Sequence, residues 1–283
     1  MLEVIVGADS AARYDSTVIL PRESLPLGGA TCNLYWYLTQ LGRKPIVATH
    51  YAASDAPRMR ALMTGDAGRF HAEKSSATDV LIVLPTLSTA SLYIAGALNT
   101  DDISKMLAGI ADDGVVVFVG SRHGALRSAY LKKVATLTKA TVVFAPSYTM
   151  YDFTPEELRD FLASSHLTFI NEHEAAHACK LLGAINSAEL FKSSKLGGIV
   201  TLGPGGASLY PRGGGPVVCP SVSGSQADVI GAGEAFMCGF LHSYLNTGSW
   251  ETAGTFGCAL AAQVVRGGKV RMPIHPEIAP ASR

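Results

Sequence analysis

The 283-residue chain is short of charge: 16% of its residues are Asp, Glu, Lys or Arg, and the formal net charge is +0. A surface with no excess of either sign gives no electrostatic reason to bind nucleic acid or an anionic membrane. Sparse charge beside 48% apolar residues excludes a disordered composition and supplies a sizeable core. No apolar run is long enough to cross a bilayer. The start, Met1-Leu-Glu-Val-Ile-Val-Gly7, has no basic segment ahead of its apolar residues. It reads as a first strand rather than a secretory signal. Cysteine is scarce: residues 32, 179, 219, 238 and 258 stand singly, without metal-ligand spacing. They read as buried free thiols of a cytoplasmic protein. Low-complexity linkers, charge runs and short repeats are also lacking, so a single α/β domain over 1–283 is expected.

What is present is alternation. Strands are expected at Glu3–Val6, Pro45–Thr49, Val80–Leu84, Val115–Val119, Thr141–Ala145, Leu167–Ile170 and Ile199–Leu202. Helices are expected near 30–41, 55–64, 101–111, 124–138, 155–164, 172–182, 232–247 and 250–266. Val115-Val-Val-Phe-Val119 is apolar on both faces, as a central parallel strand covered by helices on each side must be. The alternation implies right-handed βαβ units in a doubly wound, mostly parallel sheet with helices on both faces. Ligands of such sheets bind outside the carboxyl ends of the strands. Tyr210–Pro216 reads as a hairpin tip at the sheet edge.

Asp228-Val-Ile-Gly-Ala-Gly-Glu-Ala-Phe236 is a glycine turn opening into a helix. Gly231 and Gly233 leave the N–H groups of the turn uncovered, and a helix N-terminus favours an anion. Glu234 in the first turn has two uses open to it: a cap, or a general base facing the anion's reaction partner. Gly28-Gly-Ala-Thr-Cys-Asn33 opens another helix. Its glycines serve either a tight loop or close approach to a ligand, and Asn33 offers donor and acceptor. Asn171-Glu-His-Glu174 follows an apolar strand and opens a helix. It spells either an N-cap with acids in the first turn or a carboxylate beside a hard cation. The overlapping His173-Glu-Ala-Ala-His177 fits a zinc pattern, with Glu174 as base and His242 or His275 as third ligand by residue type alone. Ile199–Leu202 runs into the glycine-rich turn Gly203-Pro-Gly-Gly206.

In this order the motifs resemble those of the PfkB, ribokinase-like family of ATP-dependent sugar and nucleoside kinases. Asp228, Gly231, Ala232, Gly233, Ala235 and Phe236 match its Asp-x-x-Gly-Ala-Gly-Asp-Ala-Phe signature, but position 234 is glutamate in place of the family's aspartate. The resemblance implies a ribokinase-like fold with a β lid, shortened here to a segment near 10–28. It implies ATP and Mg²⁺, with Asn171, Glu174, Thr201, Gly203, Gly206, Asp228 and Gly231 around the nucleotide. Glu174 would help place the metal through water. Gly28, Gly29 and Asn33 would contact the acceptor. Ala232 and Gly233 would cradle the transferred phosphate with the N–H of Glu234, and the Glu234 carboxylate would be the base. Adenine would lie near Gly257–Ala261. Ala12 stands where the family has a substrate-binding aspartate, flanked by Asp9 and Asp15, and Ala145 stands where many members have a polar group before proline. Arg13, Tyr14, Arg122 and His123 are further polar candidates without a motif.

The expected function is transfer of the γ-phosphate of ATP to a hydroxyl of a small sugar or nucleoside, by a monomer or homodimer. The extra methylene of Glu234 must fold back or displace the acceptor by roughly 1 Å, a shift that costs about a hundredfold in rate. Three outcomes stay open: an active enzyme with a shifted substrate, a slow one, or a protein that binds nucleotide or sugar without efficient transfer.

Overall fold

The structure is a computed structural model. It describes residues 2–4, 18–20, 30–43, 45, 50–52, 57, 61, 71–73, 80–83, 91–94, 115–120, 127–128, 131–132, 136, 141–222, 231–267, 271 and 273–275. Gly28, Gly29, Asp228, Ala12 and the strand and helix expected at 45–49 and 101–111 lie outside these residues, except for Pro45.

In the N-terminal part, β1 (Leu2–Val4) pairs antiparallel with β2 (Val18–Leu20). Helix α1 spans Ala30–Gln40. Strands β3 (His50–Ala52) and β4 (His71–Glu73) pair in parallel, while β5 (Val80–Val83) and β6 (Ser91–Ile94) pair antiparallel. The strands expected at Glu3–Val6 and Val80–Leu84 are therefore present in part, but in hairpin-like pairs. A short apolar run has the same pattern in either setting, and only its partner distinguishes them. Of the lid segment near 10–28, Val18–Leu20 is described, as the strand beside β1.

The remainder builds one sheet from β7 (Val115–Val119), β8 (Thr141–Ala145), β9 (Leu167–Asn171), β10 (Gly197–Thr201), β11 (Ala207–Pro211) and β12 (Val217–Cys219). Its order is β12-β11-β10-β9-β8-β7. β7 to β10 run parallel, and β11 and β12 are antiparallel. The tip between β11 and β12 falls at 212–216, as its glycines and prolines require. Side chains alternate across the sheet. Val142 and Phe144 enter a core with Phe118, Leu158 and Phe161 of one helical layer. Val143 and Ala145 enter another with Leu34, Tyr37, Phe236 and Leu260. Both faces are covered, which explains why these strands are apolar throughout.

The first layer contains α2 (Pro155–Ser164) and α3 (Glu172–Leu182), followed by the short α4 (Ser187–Leu190). Thr154 and Glu157 close a capping box at 3.1 and 3.0 Å, fixing where α2 begins. On the other face lie α1, α5 (Ala232–Thr247) and α6 (Trp250–Gly267). α5 is buried nearly all round, which is why it carries so few charged residues. It crosses α6 closely: a Cβ on Gly239 would lie 3.0 Å from Gly257 Cα. β10 begins two residues before the run Ile199–Leu202, at Gly197 and Gly198. A Cβ on Gly198 would meet the Phe191 ring at 2.3 Å. Packing selects glycine at that position against its low strand propensity.

Candidate active site

β9 ends at Asn171 and β10 at Thr201, and these two residues are paired neighbours. The carboxyl edge of the sheet thus brings the two sequence motifs side by side. Asn171 caps α3: its Oδ1 accepts from Glu174 N at 2.8 Å, and Glu174 Oε2 accepts from Asn171 N at 3.0 Å. The box takes one oxygen of the carboxylate. Glu174 is buried, and burial pushes its pKa up from 4.5. The Asn171 bonds oppose that rise, and the charge of Glu234 adds to it. The Glu234 charge disfavours ionisation of Glu174, an effect that a cation beside Glu174 would relieve. A single capped carboxylate suits a metal held mainly by phosphate oxygens and water. Among the described residues no group of three His, Cys, Asp or Glu could hold a metal alone.

The linkage gives a prediction. An acid whose pKa is raised on folding costs stability as pH rises above its unfolded value, until the folded group ionises. Glu174→Gln keeps a capping oxygen and removes the charge. Its melting temperature should match the wild type near pH 4.5 and exceed it as pH rises towards 8, levelling off once the folded Glu174 ionises. Thermal melts across that range would show it, and a difference that stays flat would disprove the coupling.

The N-terminus of α5 faces the same region. Gly231 takes a left-handed φ of 93° and no side chain caps the helix. The first intrahelical bond runs from Ala235 N to Gly231 O at 3.0 Å, so the N–H groups of Ala232 and Gly233 remain available as donors. Nothing lies within 4 Å of a Cβ placed on Gly233. Glu234 is partly buried, and burial raises its pKa. Hydrogen bonds from its own backbone N–H and from the Asn33 side chain moderate the rise. The side chain therefore folds back, which is one of the two conformations its extra methylene allows. Its own N–H is occupied by this contact, leaving Ala232 and Gly233 as the donors at the helix end.

Asn33 is buried on α1 beside Glu234, and its Oδ1 has no partner. Tyr37, one turn further, is fully buried, and its hydroxyl accepts from Arg271 N at 3.0 Å. Burial chiefly raises the Tyr37 pKa, and the Glu234 charge contributes. Sequence reasoning missed Tyr37. The available signal was its place four residues after Asn33, on the same helix face.

The glycines of the 203–206 turn divide by role. A Cβ on Gly206 (φ 90°) would lie 2.1 Å from Cys219 O, so this glycine permits β12 to approach. Gly203 (φ 53°) faces open space. In Gly257–Ala261, Gly257 packs on Phe236, and Cys258 and Leu260 are buried in the core. Ala145 also packs into the core and offers no polar group at the end of β8. The zinc pattern finds no third ligand among the described residues. His173 is exposed, the His177 ring lies 4.7 Å from Tyr151, and His242 is bonded to Arg43 at 3.3 Å. All five cysteines are free, and Cys258 is pushed up to about 12 by burial.

A family profile described as pfkB family carbohydrate kinase matches residues 86–276, more than half of the chain and all of this sheet edge. The chain belongs to the PfkB family of carbohydrate kinases. A nucleoside kinase of Thermoplasma acidophilum is 24% identical over 98% of this chain and 90% of its own length. Among solved structures, a nucleoside kinase of Burkholderia thailandensis in complex with inosine superimposes with a TM-score of 0.70 at 22% identity. That match covers 84% of this chain and 79% of the other. Aminoimidazole riboside kinase of Salmonella enterica follows at a TM-score of 0.66 and 19% identity, covering 93% and 92%. The fold of this PfkB chain is ribokinase-like, and the chain is a kinase. No described helix is long and apolar enough to cross a membrane.

Proposed function

We propose that this kinase transfers the γ-phosphate of ATP to a hydroxyl of a small nucleoside or sugar, with a nucleoside favoured by the nucleoside kinases it resembles. The observation that carries the reading is Glu234, held by Asn33 in the first turn of an uncapped helix N-terminus and within electrostatic reach of Glu174. Phosphoryl transfer asks a protein mainly for positioning and charge stabilisation. The N–H groups of Ala232 and Gly233 receive the phosphate oxygens. Glu234 takes the proton of the attacking hydroxyl as its oxygen bonds to phosphorus, and ADP leaves. Burial strengthens Glu234 as a base by raising its pKa. Glu174 is the carboxylate that would help hold Mg²⁺, which would supply neutralisation of phosphate charge. Thr201 and Gly203 flank the nucleotide, and Gly28, Gly29 and Asp228 are assigned by motif. The free cysteines agree with a cytoplasmic location.

The test is ADP formation from Mg-ATP across nucleosides, sugars and sugar phosphates. One acceptor with clear turnover is expected. A second reading, binding without efficient transfer, draws on the Glu234 carboxylate bonding its own N–H. It predicts that ATP raises the melting temperature while no acceptor supports turnover.

A further inference from the structure

We propose that Arg43, His242 and Asn246 form a proton-sensitive latch, which fastens the end of α1 to α5 while the His242 ring is neutral and lets go when the ring takes a second proton. Arg43 lies just beyond α1 and turns its guanidinium onto α5. Its Nε donates to His242 Nδ1 at 3.3 Å, and its Nη2 donates to His242 O at 3.2 Å and to Asn246 Oδ1 at 2.8 Å. A guanidinium only donates, so Nδ1 must offer a lone pair, and the single hydrogen of the neutral ring sits on Nε2. Nε2 lies 3.3 Å from Asn246 Nδ2, and the oxygen of that amide already faces Arg43. Two N–H groups therefore meet there, and moving the ring hydrogen to Nδ1 would only shift the clash to Arg43. In both tautomers one N–H is left without an acceptor in the cluster. A second ring proton adds another, together with a positive charge beside the guanidinium.

The surroundings oppose that charge. His242 is 7% exposed, so an imidazolium would have little water around it. Facing the ring are Arg43 from the end of α1, Asn246 from the next turn of α5 and the Phe256 ring of α6 at 5.9 Å. Of these, Arg43 alone carries charge. Burial and the Arg43 charge both lower the ring's pKa from 6.5. α1 and α5 run side by side in the same direction. Near their starts Cys238 Sγ donates to Leu34 O at 3.6 Å, and the latch joins them further along. Between the two ties Tyr37, Leu41 and Leu241 share one core. Protonation therefore removes the polar tie at the far end and leaves the apolar contact in place.

Nothing in the latch depends on the reaction, so stability tests it directly. A histidine whose pKa falls on folding leaves stability intact well above pH 6.5. It erodes stability as pH drops below that value, until the folded ring is protonated. Melting temperatures of the wild type, His242→Gln and Arg43→Met are compared from about pH 8 to about pH 5. The difference between wild type and each variant should be constant above about pH 7 and move against the wild type by at least about 1 °C towards pH 5. If His242→Gln fails to fold, Arg43→Met carries the comparison alone. The Nε–H NMR signal of Arg43, identified by its absence from Arg43→Met, reports the release. In the wild type it should shift with a midpoint below pH 6.5. A melting difference that stays flat across the range, or an Arg43 signal that stays still while the difference changes, would overturn the latch.

Discussion

Glu234→Gln lowers turnover by about 10²–10⁴-fold, the usual contribution of a general base, and leaves Mg-ATP binding in place. The amide keeps the volume and can still bond Asn33, but it cannot take a proton. The donors at the end of α5 are the backbone groups of Ala232 and Gly233, which the change does not touch. Binding, followed as the ATP-induced rise in melting temperature, should therefore survive. Steady-state ADP formation gives the rate. Turnover within about twofold of the wild type would remove Glu234 from the role of base.

Gly257→Val is expected to destabilise the fold by about 1–3 kcal/mol, the cost of overpacking a tight core. A Cβ at this position would lie 2.9 Å from the Phe236 carbonyl oxygen and 3.0 Å from its ring. The first of these atoms is helix backbone, so relief requires α5 to move away from α6. At roughly 2–4 °C per kcal/mol for a protein of this size, the melting temperature should fall by about 2–12 °C. Activity should fall with it, because Phe236 is two residues from Glu234. Gly215→Ala is the control: its Cβ would meet nothing within 4 Å, and its melting temperature should stay within about 1 °C. Equal melting temperatures for the two variants would contradict the close crossing of α5 and α6.

Some of this geometry was legible because it is local. Asn171-x-x-Glu174 spells a capping box, and the box is there. The sequence left open whether capping or catalysis explains that motif. The structure shows that one carboxylate oxygen does the capping, and a role near phosphate remains compatible with it. The strands Thr141–Ala145 and Leu167–Ile170 were legible because burial on both faces leaves them largely apolar, and the second continues one residue further, to Asn171. The pairing of β5 with β6 was not, since an apolar run does not encode its partner. Gly198 and Gly206 are each selected by a neighbour on another element, Phe191 and Cys219. The bond between Asn33 and Glu234 joins opposite ends of the chain, and no periodicity could have disclosed it. The departure from aspartate at 234 flagged the site. The folded-back conformation needed coordinates.

The most direct test of the central claim is mass-spectrometric analysis of the products formed from Mg-ATP and a panel of nucleosides. The account predicts one phosphorylated nucleoside formed in step with ADP, and its loss in Glu234→Gln. ADP with no phosphorylated acceptor, or no ADP from a protein that still binds ATP, would contradict it.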